Sequence, residues 1–372
     1  MKVVSETSAE KKTITWSQRL RKQKKNIYSS FFFLLLAGLT FYAIFHGNDM
    51  HAVEAAIRSI KPVYLVLAVA AAISFICAEG WVIWYLMHAL DKKTRLLSCM
   101  KYSFIGFFFS GITPSASGGQ PAQVYYMSRE GKKLSDCTVV LMTVAVIYKF
   151  VLVLMGIGIL LFAHQELAGY LGAYLYVYYL GLLLNIILVV LLLFVMIRPK
   201  VFQKMVFRIE VLLVRIHILK ASEVRRKKLE EFVNCYRQTI QFFLKNKHRI
   251  VAAILFTIVQ RVSVVVLTYF IYLGFSLRGT SAMTVMILQA SVYVAVEILP
   301  LPGAQGITEM MYRKIFAQVF PGNFLTASMC VTRSINFYFL MILSAGITLW
   351  CYIRRKVKME KRRSLCVKRD LL

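Results

Sequence analysis

Six ionisable side chains stand inside apolar stretches of this sequence: Glu79, Lys149, Arg261, Glu297, Glu309 and Arg333. A charge in such surroundings is costly. It faces a partner or a water-lined path, and it marks a candidate functional site. Two of the acids, Glu297 and Glu309, bracket the break ILPLPGAQGIT, residues 298–308. A matching break, GITPSASGGQP, occupies residues 111–121 between KYSFIGFFFS and AQVYYM. Unpaired backbone N–H and C=O groups are costly in hydrocarbon, so neither break can cross lipid as open chain.

Where a helix resumes after a break, its free N–H groups and its dipole favour an anion. Ser115, Ser117, Gly118, Gly119 and Gln120 form a first candidate cradle for a lipid headgroup, and Gly303, Gln305, Gly306 and Thr308 a second. Lys149 and Arg333 are expected to meet a phosphate or to pair with a carboxylate. Glu309 is expected to partner an arginine or to contact a cationic headgroup. The plainer alternative is that the ion pairs lock helices together and the glycines permit close packing. Enzyme chemistry is not indicated. Neither break continues into the Gly-Lys-[Ser/Thr] of a phosphate loop, no histidine lies in or next to them, and the seven cysteines lack metal-ligand spacing. His46, His51, Asp49 and Glu54 read as a solvated loop rather than a metal site. No catalytic residue, metal or cofactor is therefore expected.

The elements that must hold these residues are helical and membrane-bound. At 59% hydrophobic residues the chain reads as an all-α polytopic membrane protein. The net charge of +29 sits mostly in loops, where each basic residue gains about 1 kcal/mol against anionic headgroups. The expected partners are thus membrane phospholipids and not nucleic acid.

Residues 1–26 form a basic cytoplasmic N-terminus, and Ile27–Phe45 the first span. Pro62 to about Leu90 returns to the cytoplasm. DKKTR before the first break and SREGKK after it are both basic, so both flanks read as cytoplasmic. Only ~14 apolar-rich residues lead in from Cys99, too few for a span. The reading is a re-entrant hairpin turning at Thr113–Gln120. Leu134–Ala163 then runs outward, His164–Gly169 turns, and Tyr170–Ile197 returns. Residues 198–249 form a basic amphipathic cytoplasmic loop. One stripe is Phe202, Met205, Val206, Ile209, Leu213 and Ile216; another is Leu229, Phe232, Tyr236, Ile240 and Phe243. Ile250–Phe275 runs outward, and Ala282–Phe324 makes a second hairpin entering from outside. Leu325–Ile353 is the last span, and residues 354–372 form a basic cytoplasmic tail. The sum is six full spans plus two opposed re-entrant hairpins, with both termini cytoplasmic and an arrangement compatible with an inverted repeat. A rival count treats the hairpin limbs as spans and gives eight crossings or more.

GITPSASGGQPAQ, then LPLPGAQGITE, then Arg333 within VTRSINFYFLMILSAG resemble the three signature blocks of the lysylphosphatidylglycerol synthase transmembrane region. That family, also called the flippase-like domain, forms the N-terminal membrane half of the multiple peptide resistance factor. The resemblance runs from about residue 25 to 353. It implies a multi-pass protein of the bacterial cytoplasmic membrane that moves a lipid between leaflets. Two-part members add a soluble domain that transfers lysine from lysyl-tRNA to phosphatidylglycerol. This chain ends shortly after its last span, so that domain is expected to be absent. The expected activity is translocation of an anionic or lysylated phosphatidylglycerol, or of a polyprenyl-linked lipid. The alternatives are a phosphatidylglycerol lysyltransferase and a non-catalytic partner of a separately encoded synthase. Where many members carry a Glu-Arg pair, this chain has Tyr148-Lys149.

The topology is directly testable. In intact cells an impermeant thiol reagent should label Gln165→Cys and Gly279→Cys and spare Cys235 and Cys366. Labelling at Cys366 with protection at position 165 would invert the assignment.

Overall fold

The computed structural model describes residues 50–90, 94–113, 116–215, 223–299 and 306–369. The span expected at Ile27–Phe45 lies outside them, as do Ser115, Gly303, Gln305 and Ile216. No strand occurs among the described residues.

The chain opens on α1 (Met50–Arg58) and α2 (Pro62–Ala89), whose Pro62 fits the first helical turn, where its missing N–H is no loss. The first break follows. Helix α3 (Leu96–Gly111) stops before it, and α4 (Gly119–Arg129) resumes after it. Long helix α5 (Leu134–Phe162), short α6 (His164–Leu171) and α7 (Leu175–Ile197) come next. The basic segment holds α8 (Pro199–Arg215) and α9 (Glu223–Lys245). Then α10 (Lys247–Gly274) and α11 (Ala282–Val296) lead into the second break, from which α12 (Ile307–Ile315) emerges. The last run is α13 (Asn323–Arg333), a π-helical segment (Ser334–Phe339) and α14 (Leu340–Arg369). Among the described residues, five stretches are long and apolar enough to cross a membrane: α2, α5, α7, α10 and Asn323–Arg354.

Small residues set the packing. Buried Ala68, Ala71, Ala72 and Gly80 line α2, which runs antiparallel to α10. At one end the Lys61 N–H donates to the Gly274 carbonyl at 3.0 Å. At the other, Trp81 and Tyr85 pack on Phe256. Helices α3 and α4 form a tight hairpin. A Cβ on Gly119 would stand 2.1 Å from Ser110 Oγ and 2.8 Å from the Gly106 carbonyl oxygen. In the connection between them Ala116 takes φ +52°, a left-handed conformation that costs a non-glycine residue roughly 1–2 kcal/mol. Helices α7 and α11 also touch backbone to backbone at Gly181.

Three local expectations change. The turn expected at His164–Gly169 is helix α6, because Leu167 and Leu171, four residues apart, both bury on one face. Tyr170 belongs to that helix, and the returning span starts at Leu175, after Gly172 reverses the chain at φ +50°. The second limb of the first hairpin begins at Gly119, so Gln120 lies in a helix rather than in the turn. In the basic segment the two amphipathic stripes behave differently. Helix α9 buries Tyr236, Ile240 and Phe243, whereas α8 buries Phe202 and leaves Met205, Ile209, Val211 and Leu212 exposed. Phe202 stacks on Tyr236, ring centroids 3.8 Å apart.

The close approach at Gly181 predicts a local cost. Its Cβ would lie 2.6 Å from the Ala295 Cα and from the Val294 carbonyl oxygen. Gly181→Val should therefore destabilise the protein by about 1–3 kcal/mol. Gly158→Ala, with nothing within 4 Å of the added carbon, should leave stability unchanged or slightly raised. Thermal unfolding in detergent measures both.

Candidate functional site

Five of the six charges in the apolar segments assemble into two clusters, both built on the ends of broken helices. The first centres on Glu297, which caps the C-terminal end of α11. A carboxylate is disfavoured there by the helix dipole, and two cations offset that penalty. Arg261, from the middle of α10 and 2% exposed, grips it with both terminal nitrogens, Nη1 to Oε2 at 2.8 Å and Nη2 to Oε1 at 3.2 Å. This two-point geometry is the strong form of the pair. Lys149 Nζ, from the middle of α5, reaches Oε1 at 3.1 Å.

Neutral groups hold the cations in place. The Arg261 guanidinium stacks on the Tyr148 ring, 3.6 Å from its centroid. Lys149 Nζ also makes a long 3.5 Å contact to Asn185 Oδ1 on α7. Asn185 in turn donates to the Gly181 and Val294 carbonyls at 2.8 and 3.2 Å, tying α7 to α11. One nitrogen, Arg261 Nε, is buried without a hydrogen-bond partner among the described residues.

The second cluster sits where α12 leaves its break. Gly306 takes φ +83°, a conformation open to glycine. Glu309 then folds back on the helix start, its Oε2 accepting the Gly306 N–H at 2.7 Å. Its other oxygen accepts from Arg333 Nε at 2.7 Å. Glu309 is 3% exposed, so this pair is desolvated. The arginine lies 5.0 Å from the Phe337 ring centroid. Tyr293, one turn before Glu297 on α11, accepts a 2.6 Å bond from Asn336 of the π segment and lies within electrostatic reach of Arg261 and Arg333 alike. It bridges the two clusters.

The candidate residues thus divide. Glu309, Gly306 and Arg333 come together. Thr308 is buried beside them in α12. Lys149 joins Glu297 instead. At the first break the Gly118 N–H is taken by Thr113 Oγ1 at 2.9 Å, and Gly119 is buried against Ser110. Ser117 and Gln120 are exposed. From the second limb of this hairpin Gln123 reaches across to α2, its Nε2 donating to Glu79 at 2.7 Å. Sequence context gives Glu297 and Arg261 no prominence beyond their charge. A charge balance would have pointed to their pairing: three acids face three bases inside apolar segments, and an acid just ahead of a break is close to a turn where cations can gather.

The Glu309–Arg333 pair generates a measurable expectation. Removing one partner of a buried pair costs about 3–5 kcal/mol when the other is stranded. Glu309→Gln and Arg333→Gln should each lower the unfolding temperature markedly, and the double variant should lose less than the two single losses together. Strict additivity in the double-mutant cycle would mean that the two side chains do not interact.

Sequence comparison agrees with this architecture. A profile of the lysylphosphatidylglycerol synthase TM region matches residues 27–344, a stretch that contains both breaks and both charge clusters. No curated protein matches the chain. With most of its 372 residues matched, this multi-pass membrane protein belongs to the lysylphosphatidylglycerol synthase transmembrane-region family.

Proposed function

We propose that this protein translocates a phospholipid, an anionic or lysylated phosphatidylglycerol, or a polyprenyl-linked lipid, across the cytoplasmic membrane. The observation that carries the reading is the Lys149–Glu297–Arg261 cluster: two cations share one carboxylate beside a helix break inside an apolar bundle. A charged headgroup crossing hydrocarbon unaided meets a barrier that single side chains reveal as about 2.5–3.5 kcal/mol or more. A cluster with one surplus cation lowers that barrier for a phosphate. The helix ends at the breaks would add polar groups to the path, while the acyl tails stay in lipid.

The membrane arrangement belongs to the proposal. Six full spans and two hairpins entering from opposite faces, with both termini cytoplasmic, would frame a headgroup path between the breaks. The family name also brings in lysylphosphatidylglycerol synthesis. In that second reading the chain is the membrane partner of a separately encoded synthase.

Purified protein in liposomes separates the two readings. Wild type should speed transbilayer movement of fluorescent phosphatidylglycerol or its lysylated form. Lys149→Ala, which leaves Glu297 paired with Arg261, should slow the acidic lipid by about tenfold, the equivalent of 1.4 kcal/mol, and a zwitterionic lipid much less. If wild type moves no lipid of an anionic, aminoacylated and polyprenyl panel faster than empty liposomes, translocation is refuted and the partner reading leads.

A further inference from the structure

Among the three acids singled out in the apolar segments, Glu79 on α2 differs from the other two. Glu297 has two cations and Glu309 has one. The partner of Glu79 is neutral: its Oε1 accepts from the Gln123 amide of α4. The interior cations of the elements packed around it are committed elsewhere. Lys101 and Tyr102 of α3 hold Glu130 at 3.1 and 2.5 Å. Lys149 of α5 and Arg261 of α10 hold Glu297. The π segment presents Tyr338, and α2 itself Cys77.

Glu79 is nonetheless linked to the cation cluster. Phe75, one turn before it, packs on Tyr148 with ring centroids 6.3 Å apart. Tyr148 is the ring on which Arg261 stacks. The amide contact is also tightly held, because a Cβ on Gly106 would stand 2.3 Å from Gln123 Nε2. The Glu79–Gln123 bond therefore fastens α2 to the hairpin that carries the first break.

The charges can be counted. Lys149, Arg261 and Glu297 sum to +1, and Glu309 with Arg333 to zero. An ionised Glu79 brings the sum over these six side chains to zero. With an anionic headgroup on the cation cluster, that sum stands at −1 if Glu79 is ionised and at zero if it is protonated. Uncompensated charge is what a low-dielectric interior resists most.

We propose that Glu79 is a proton-binding site and that the protein takes up one proton with each anionic lipid headgroup it binds. The inference rests on the translocation reading in placing the headgroup at the Lys149–Arg261 cluster. The proton comes from water, forms an O–H bond on a Glu79 oxygen, and returns to water when the lipid leaves. Linkage is reciprocal, so the proton tightens headgroup binding by the factor that the headgroup tightens proton binding.

Titration calorimetry of the full chain in detergent tests this, with dioctanoyl phosphatidylglycerol as probe and two buffers of different ionisation enthalpy. Across about pH 5 to 9, wild type should take up as much as about one proton per lipid bound, and its affinity should fall with rising pH by no more than about tenfold per unit. Glu79→Gln, fixed in the neutral form, should bind at the low-pH wild-type affinity throughout, without uptake. Glu79→Asp should retain uptake, and dioctanoyl phosphatidylcholine should elicit none. Wild-type binding that is independent of pH, uptake that survives in Glu79→Gln, or no binding of the anionic probe overturns the proposal. Should Glu79→Gln fail to fold, the wild-type profile and Glu79→Asp still decide it. Binding with uptake but no movement in liposomes would refute translocation and leave the proton site standing. Movement without uptake or pH dependence would do the opposite.

Discussion

The rest of the structure depends on one constraint: charge inside an apolar bundle must be matched where it lies. Arg261 is the case that shows it. Its guanidinium is almost wholly withdrawn from solvent and is held through its terminal nitrogens by the Glu297 carboxylate and, at 3.5 Å, the Tyr148 carbonyl, and through its face by the Tyr148 ring. Three elements must converge for that to happen: the middle of α10, the middle of α5 and the end of α11. Their convergence fixes how far α11 can extend before the chain breaks. Glu297 could not sit at a helix C-terminus, against the dipole, without those cations.

The same logic explains why the two breaks differ. At the second, the chain supplies its own anion to the helix start, since Glu309 takes the Gly306 N–H and holds Arg333 in one gesture. At the first, a hydroxyl takes the equivalent place, Thr113 receiving the Gly118 N–H. One break is closed by a charged group and the other by a neutral group.

Much of this was legible in the sequence. Apolar runs bounded by basic clusters located α2, α5, α7 and α10 to within a few residues, because hydrophobic length and positive loops are strong signals. Pro and Gly located both breaks. Glu309 and Arg333 could be paired on paper because they fall in neighbouring late elements of opposite charge. Contacts distant along the chain were not legible. Nothing near Lys149 names Glu297, which lies on another helix, and nothing in GQPAQ shows that Gln123 rather than Gln120 turns inward. That choice follows from the phase of α4 on α3, set where Gly106 meets the Gln123 side chain. The α6 turn was missed because a Gly-containing segment of eight residues reads as a loop until its Leu167 and Leu171 find a surface to cover.

The π segment Ser334–Phe339 has a bearing on how the last long helix can vary. A π turn holds one more residue than the α turn it replaces, and each residue of an α-helix advances the side chains by about 100°. The helix is therefore a screw cut with two phases. Upstream, the phase aims Arg333 at Glu309; downstream, it buries Leu340, Ser344 and Thr348 along a different azimuth. Each half can be tuned by substitution without rotating the other. A relative that lost one residue inside 334–339 would have to choose between the two alignments.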